Sequence, residues 1–311
     1  MNPKATPQKP ARAALLLATL GVMGAALSLA VSACGAPPPA PLVRQQAAEP
    51  VIVDPARPCT RDAAAAPAPP PAAPATGIEA SFDPATRTIQ LTAGQGVTMP
   101  ELAKAVDDPG LLREAAPGEW LLAADLAVLP GTSVRITAPS TRWLKLLSSG
   151  ERFASVKAYG GNVEITGSCI TSWDPAANTV DTDAEDGRGY LLARDGSQMT
   201  IDDAEIRYLG NGEVESYGLS WRTAGTTGKI TNSVVSHNYY GLYTYEVGGL
   251  VVADNEFHDN ILYGIDPHTG SHDLTIERNV VHDNGKHGII LAEDCVDSVI
   301  RDNIVYRNKH H

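Results

Sequence analysis

Tyr263, Asp266 and His268 stand together in the stretch YGIDPHTGSHD, residues 263–273. A phenol, a carboxylic acid and an imidazole can each hold or release a proton, so the trio suits general acid–base chemistry. Alternate side chains of an extended strand share a face. Asp266 and His268 are two residues apart, so one strand would point both to the same side, with Tyr263 at its entrance.

That strand is one of four related segments. SYGLSWRT begins at Ser216, YYGLYTYE at Tyr239, LYGIDPHT at Leu262 and KHGIILAE at Lys286. Their glycines, Gly218, Gly241, Gly264 and Gly288, recur at intervals of 23, 23 and 24. A second column is Asn232, Asn255, Asn279 and Asn303, and a third is Asn238, Asn260, Asn284 and Asn308. Short strands repeated with a period near 24 are the mark of a solenoid. The Leu-x-x-Leu-x-Leu framework of leucine-rich repeats is missing. The apolar runs LVVAD, LTIER and SVIRD are short and β-branched, and no useful stretch has a helical period. The expected fold is therefore all-β, a right-handed parallel β-helix of about 24 residues per coil. Asparagine is expected to occupy the left-handed corners and to hydrogen-bond in ladders.

Upstream coils are less regular. VEITGSCI (163–170) and MTIDDAEI (199–206) read as two further strands, and residues 171–188 as a polar surface loop. Thr98, Pro100 and Glu101 have capping-box spacing, which predicts a short helix to about Val106 that caps the solenoid.

Period-2 alternation sorts the repeated strand into faces. Leu219, Leu242, Ile265 and Ile289 point inward, followed by Trp221, Thr244, Pro267 and Leu291. Outward columns are Ser220, Tyr243, Asp266, Ile290 and then Arg222, Tyr245, His268, Ala292; Tyr217, Tyr240, Tyr263 and His287 precede the glycines. Coils stack about 4.8 Å apart. Asp266 and His268 should thus sit on an exposed face within a groove of tyrosines, a surface that suits sugar rings. Pro267, lacking an N–H, is expected to interrupt the inter-coil ladder. His258 and His282 read as solvated corner residues.

The N-terminus reads as an export signal, with Lys4, Lys9 and Arg12 before an apolar run over residues 13–30. Val31-Ser32-Ala33-Cys34 resembles a bacterial lipobox, which would lipidate Cys34 and tether the protein to a membrane without spanning it. The expected organisation is a lipoprotein-type signal over 1–34, a disordered Pro/Ala-rich linker over 35–76, and a β-helix domain over 77–311. Within that domain 98–150 hold the cap and first coils and 199–311 the catalytic coils. With Cys34 assigned, Cys59, Cys169 and Cys295 are an odd count and read as isolated small hydrophobes rather than a disulfide framework. The net charge of −12 argues against nucleic acid. It is also awkward for a polyanionic ligand, so the groove must be locally positive. No cofactor is implied. No Cys/His spacing suggests zinc, and calcium binding stays open without an EF-hand-like string.

From about Met99 onward the sequence resembles the mannuronan C5-epimerases of alginate biosynthesis. YGIDPH (263–268), HDNGKHGII (282–290), YGLYTYE (240–246), SYGLSW (216–221) and TSWDP (171–175) carry the likeness. The resemblance implies conversion of β-D-mannuronate to α-L-guluronate within a polyuronate: a proton leaves carbon 5 and another returns from the opposite face. By motif position His268 corresponds to the base, Tyr263 to a candidate acid, and Asp266 orients or tunes the pair. Histidine suits a base because it is readily neutral near pH 7. Tyr240, Tyr243, Tyr245 and His287 would contact the sugar chain.

The sequence departs from the family pattern at Thr269, where an acidic residue is usual, and at Ala292-Glu293-Asp294. Arg222 and Lys286 are then the candidates for neutralising the substrate carboxylate. The chain also ends in what reads as mid-coil, so a C-terminally shortened member is expected. Two other functions fit the same surface: a polyuronate lyase, which continues by eliminating the bond at carbon 4, and a non-catalytic polysaccharide-binding β-helix.

Overall fold

The computed structural model describes residues 57–60, 74–150 and 152–310. The signal segment, Cys34 and most of the linker lie outside the described residues. Those that are described belong to one compact unit, Val51–His311.

Three sheets run the length of this unit, of eight, eight and ten strands, and the chain visits each in turn as it climbs. Neighbouring coils pair in parallel; antiparallel pairing is confined to hairpins such as Glu79–Asp83 with Thr88–Ala93 and Leu112–Ala116 with Glu119–Leu122. This is the parallel β-helix that the 24-residue period predicts. The helix Met99–Val106 also forms as expected: Thr98 and Glu101 make the reciprocal capping box, and Asp107 closes the helix in the left-handed conformation.

The interior is built from columns of equivalent residues. In the second sheet Ile136, Ile165, Ile201, Ile230, Val252 and Ile276 stack in register and are all nearly inaccessible. In the third, Leu144, Ile170, Ile206, Val235, Phe257 and Val281 do the same. Each such side chain stabilises the fold by about 1.5–3 kcal/mol. Trp221 is fully buried, and its indole donates to the Met199 carbonyl at 3.2 Å. It fits because Gly228 faces it: a Cβ there would lie 2.8 Å from the indole nitrogen and 1.9 Å from the Met199 carbonyl oxygen.

Several expectations need correction. VEITGSCI and MTIDDAEI are each two strands meeting at a corner, Asn162–Thr166 with Cys169–Trp173 and Gln198–Asp202 with Glu205–Arg207. The polar loop therefore starts after Trp173. Asparagine does not supply most left-handed corners. The positive φ falls on the residue before it, at Asp254, Asp259, Arg278, Asp283, Asp302 and Arg307, while Asn255, Asn260, Asn279 and Asn284 are buried. Their side chains form the expected ladders, as in Asn260 Nδ2 to Asn284 Oδ1 at 2.9 Å and Asn284 Nδ2 to Asn308 Oδ1 at 2.8 Å.

Cys59 and Cys169 are joined in a disulfide across 110 residues, so these two cysteines are not isolated. The bridge lays residues 57–60 against the third sheet, where the Thr60 amide donates to Glu205 and the Arg207 guanidinium reaches the Thr60 hydroxyl. The spacing of single cysteines carries no pairing information, so sequence alone missed it.

Candidate active site

The first sheet presents the candidate residues. Its strands Leu191–Arg194, Gly218–Arg222, Tyr240–Tyr245 and Ile265–His268 are consecutive neighbours. Ser220 pairs with Tyr243 and Tyr243 with Asp266; Arg222 pairs with Tyr245 and Tyr245 with His268. These are the outward columns that alternation predicts. Leu219, Leu242 and Ile265 face the core at 0 % exposure. One extra residue is accommodated on the Tyr240–Tyr245 strand, between Tyr240 and Tyr243 and opposite Gly218 and Ser220, after which the register is restored.

Gly264 is required here by close approach. A Cβ at this position would stand 2.6 Å from both the Gly288 carbonyl oxygen and a Val281 methyl. Pro267 leaves the ladder to the preceding coil intact, while toward the next coil pairing is reduced to a single bridge between Ile265 and Ile289. The register from Leu242–Ile265 to Tyr245–His268 runs through Pro267 unbroken, and its carbonyl accepts the Ala292 amide at 2.9 Å. Leu291, expected inside, is 39 % exposed.

The aromatic side chains form a connected sheath. Tyr217 lies 4.7 Å from Tyr240 and 4.9 Å from Tyr243 between ring centroids; Tyr240 lies 5.1 Å from Tyr263, and Tyr263 stacks on His287 at 5.8 Å. Tyr243 lies 5.5 Å from the His268 imidazole. The Arg222 guanidinium is spread over Tyr243 at 4.9 Å and Tyr245 at 5.3 Å. Lys286 reaches the Tyr263 hydroxyl at 3.4 Å. All nine candidate residues are thus gathered on one side of the solenoid. Tyr217 and Ser220 belong with them; both stood in the outward columns of the sequence, which was the signal for including them.

The face is less open than alternation suggests. Ser220 is 0 % exposed, Asp266 2 % and Arg222 7 %, because the tyrosine rings close over the strand. Period-2 patterning says which way a side chain points but not what covers it. Three buried polar atoms in these columns, Ser220 Oγ, Arg222 Nη1 and Asp266 Oδ1, have no hydrogen-bond partner among the described residues. Such groups are costly to leave unpaired, and a polar ligand would satisfy them.

Burial pushes the Asp266 carboxyl up to about 7, against the pull of the Lys286 ammonium. It pushes the Tyr243 phenol up to about 12, with the Arg222 guanidinium opposing. Tyr240 is raised above the tyrosine range by burial and then by Asp266. Tyr240 and Tyr243 are therefore hydrogen-bond donors near neutral pH, and Asp266 is poised between its two forms. Arg194 is taken up by Asp195 at 3.1 Å and Glu215 at 2.5 Å. Glu215 also approaches Arg222 Nε at 3.8 Å, which leaves the far side of that guanidinium facing the groove.

The other histidines lie elsewhere. His258 and His282 are not solvated corners: they stack at 5.3 Å, and His282 stacks on Tyr306 at 4.8 Å. Equivalent positions one coil apart bring their rings into contact. His272 pairs with Asp273 in the second sheet's register, off the tyrosine face. Among the described residues no group of three or more His, Cys, Asp or Glu side chains is placed to hold a metal ion. No helix among them is long and apolar enough to cross a membrane.

A three-sheeted solenoid of parallel coils, with Tyr263, Asp266 and His268 on one sheet and an aromatic sheath around them, is a parallel β-helix. The chain belongs to the right-handed β-helix family, whose profile, described as "Right handed beta helix region", matches residues 155–311. It is a relative of proteins named mannuronan C5-epimerase. One from Pseudomonas fluorescens is 32 % identical over 182 residues, covering 54 % of this chain and 34 % of that protein. Mannuronan C5-epimerase AlgG of Azotobacter vinelandii is 29 % identical over 179 residues, covering 53 % and 33 %. The match therefore spans about a third of the length of these curated relatives. Among solved structures, a variant of the periplasmic alginate epimerase AlgG superposes with a TM-score of 0.65 at 28 % identity, covering 71 % of this chain and 54 % of that one.

Proposed function

We propose that this chain is an epimerase of a polyuronate, converting β-D-mannuronate to α-L-guluronate at carbon 5, and that it works in the periplasm. The observation that carries this is the set of buried, unpartnered polar atoms of Ser220, Arg222 and Asp266 beneath the tyrosine sheath, beside His268. A sugar with a carboxylate and hydroxyls offers the acceptors and donors those atoms lack. The tyrosine rings supply faces on which pyranose rings stack. The likeness to proteins named mannuronan C5-epimerase supports the substrate class. The disulfide fits an oxidising compartment outside the cytoplasm.

In this reading His268 accepts the carbon-5 proton. The negative charge that develops spreads into the adjoining carboxylate, so that group must be held by cations or hydrogen-bond donors. Arg222 and Lys286 are the cations at hand, and Asp266 in its protonated form is a further donor. Tyr263, hydrogen-bonded to Lys286, returns a proton from the opposite face of the ring. No redox partner is needed, because the proton count is unchanged over the cycle.

The test is to incubate the purified protein with polymannuronate and follow guluronate by proton NMR. Growth of guluronate signals without chain cleavage is the expected result, and His268→Asn should abolish it in a folded protein. Unsaturated ends absorbing in the ultraviolet would instead mean elimination at carbon 4. Binding without any change in the polymer would mean a non-catalytic role.

A further inference from the structure

The outward column that holds His268 and Arg222 continues upstream. Ala193 pairs with Trp221 and Tyr159 with Arg194, so Arg194 stands one coil from Arg222 and Tyr159 one coil further. A ring and a cation recur there, the chemistry that Tyr245 and Arg222 offer nearer His268. The Arg194 guanidinium is nevertheless occupied. Its Nε lies 3.1 Å from Asp195 Oδ2, and its Nη1 lies 2.5 Å from Glu215 Oε1. The same Glu215 oxygen lies 3.8 Å from Arg222 Nε. One carboxylate therefore sits between two guanidinium groups on adjacent strands of the candidate groove.

Its loop holds Glu215 in that place. Residues 209–216 lead from the strand Glu205–Arg207 to the strand Gly218–Arg222. Arg188, 1 % exposed, pins them by donating to the carbonyls of Gly210 at 3.0 Å and Leu209 at 3.3 Å. The Asn211 side chain donates to the Arg188 carbonyl at 3.2 Å, and the Asn211 amide closes the loop on the Ser216 carbonyl at 2.8 Å. Glu215 itself has a φ of 72°, a left-handed conformation that strains a residue with a Cβ. Glycine or asparagine would suit that backbone better, so what glutamate adds there is its carboxylate. Arg222 does not depend on it for placement. Its guanidinium is buried against Tyr243 and Tyr245, and 3.8 Å is too long for a hydrogen bond. The effect of Glu215 on the groove is thus electrostatic. It takes the Nη1 edge of Arg194 that a ligand carboxylate would use, and it weakens the positive field at Arg222. Asp195 engages only the Nε edge.

We propose that Glu215 is a specificity-determining residue: it fills the carboxylate position at Arg194, as a uronate of the polymer would, and so ends the polyuronate-binding face at Arg222. The proposal rests on the reading of this face as a polyuronate site. The bound polymer then runs from Arg222 past His268 toward Lys286, and no charge holds the sugars upstream of it. Removing the Glu215 carboxylate opens one further contact, at Arg194.

The experiment titrates polymannuronate into the full chain carrying His268→Asn, so that the polymer is held without being turned over, and reads Kd by calorimetry at low and at moderate salt. Adding Glu215→Gln should lower Kd at low salt by about fivefold. Glu215→Gly, which suits the left-handed backbone, should do the same. The salt dependence should steepen, because one more ion contact is made. Adding Arg194→Gln to Glu215→Gln should take the gain away. Glu213→Gln removes a charge from the same loop and should leave Kd within about twofold. With His268 intact, Glu215→Gln should lower KM on polymannuronate by the same factor as Kd. A Kd that Glu215→Gln leaves unchanged or raises, or that Glu213→Gln lowers as far, overturns the proposal. Tighter binding by a chain that forms no guluronate with His268 intact upholds the stop at Glu215 and overturns the epimerase reading. Absence of binding to polymannuronate in all of these chains overturns both.

Discussion

At the scale of single residues the site is governed by burial. Asp266 looked exposed from its place in an alternating strand, yet the tyrosine sheath leaves it 2 % accessible and lifts its carboxyl to about 7. The sign of the consequence follows from linkage. Below about pH 4 the carboxyl is protonated in both folded and unfolded chains. Between about 4 and 7 the folded state binds the proton more tightly, so stability falls as pH rises through that window, by up to about 1.4 kcal/mol per unit. Asp266→Asn is expected to flatten this part of the profile in urea titrations at successive pH values. A slope unchanged by the substitution would mean that the group ionises freely. Arg222 makes a separate prediction. If its unpartnered Nη1 meets a substrate carboxylate, losing that charge-assisted bond costs about 1.5–3 kcal/mol, so Arg222→Ala should raise KM about 10- to 100-fold. An unchanged KM would remove Arg222 from the binding surface.

At the scale of elements the strands owe their register to side chains at the corners. Asn260 accepts the Asn238 amide at 3.1 Å and donates to the Val235 carbonyl at 3.2 Å, bridging successive coils where the backbone turns. Asn260→Ala would leave two buried backbone groups unpaired and should destabilise the protein by about 2–4 kcal/mol, read from the midpoint of urea unfolding. Substitution of exposed Asp259 by Asn, which keeps a residue able to hold the left-handed corner, should cost far less. The columns of asparagine and glycine were legible as spacing. What each column does was only half legible, because a ladder residue and a corner residue are neighbours in sequence and share the same polar character.

At the scale of the whole molecule the proposed function asks the groove to take a polyanion although the chain carries a net charge of −12. The structure answers by location. Glu215 neutralises Arg194, whereas Lys286 and the outer edge of Arg222 remain turned to the tyrosine face. Affinity for polymannuronate should accordingly weaken as salt rises from low ionic strength, since attraction between exposed charges is screened. The disulfide is the other long-range device. Closing 110 residues of chain between Cys59 and Cys169, it should contribute about 2–4 kcal/mol, and reductant should lower the melting temperature of the native protein but not of a Cys59→Ser, Cys169→Ser double variant.

A 24-residue period, alternating β-branched strands and recurring asparagines settle the fold without any coordinates, because a solenoid repeats one local solution and each coil sees only its neighbours. The same alternation placed Tyr243, Asp266 and His268 outward and in adjacent coils. Three things awaited the tertiary structure. The pairing of Cys59 with Cys169 joins segments with no common pattern. The burial of Asp266 goes with Tyr240 and Tyr243, which lie one coil away. The contact of Glu215 with Arg194 crosses from one coil to the next. Each depends on residues far apart in the chain meeting at a distance of a few ångströms, and periodicity specifies which coils are adjacent but not which atoms touch.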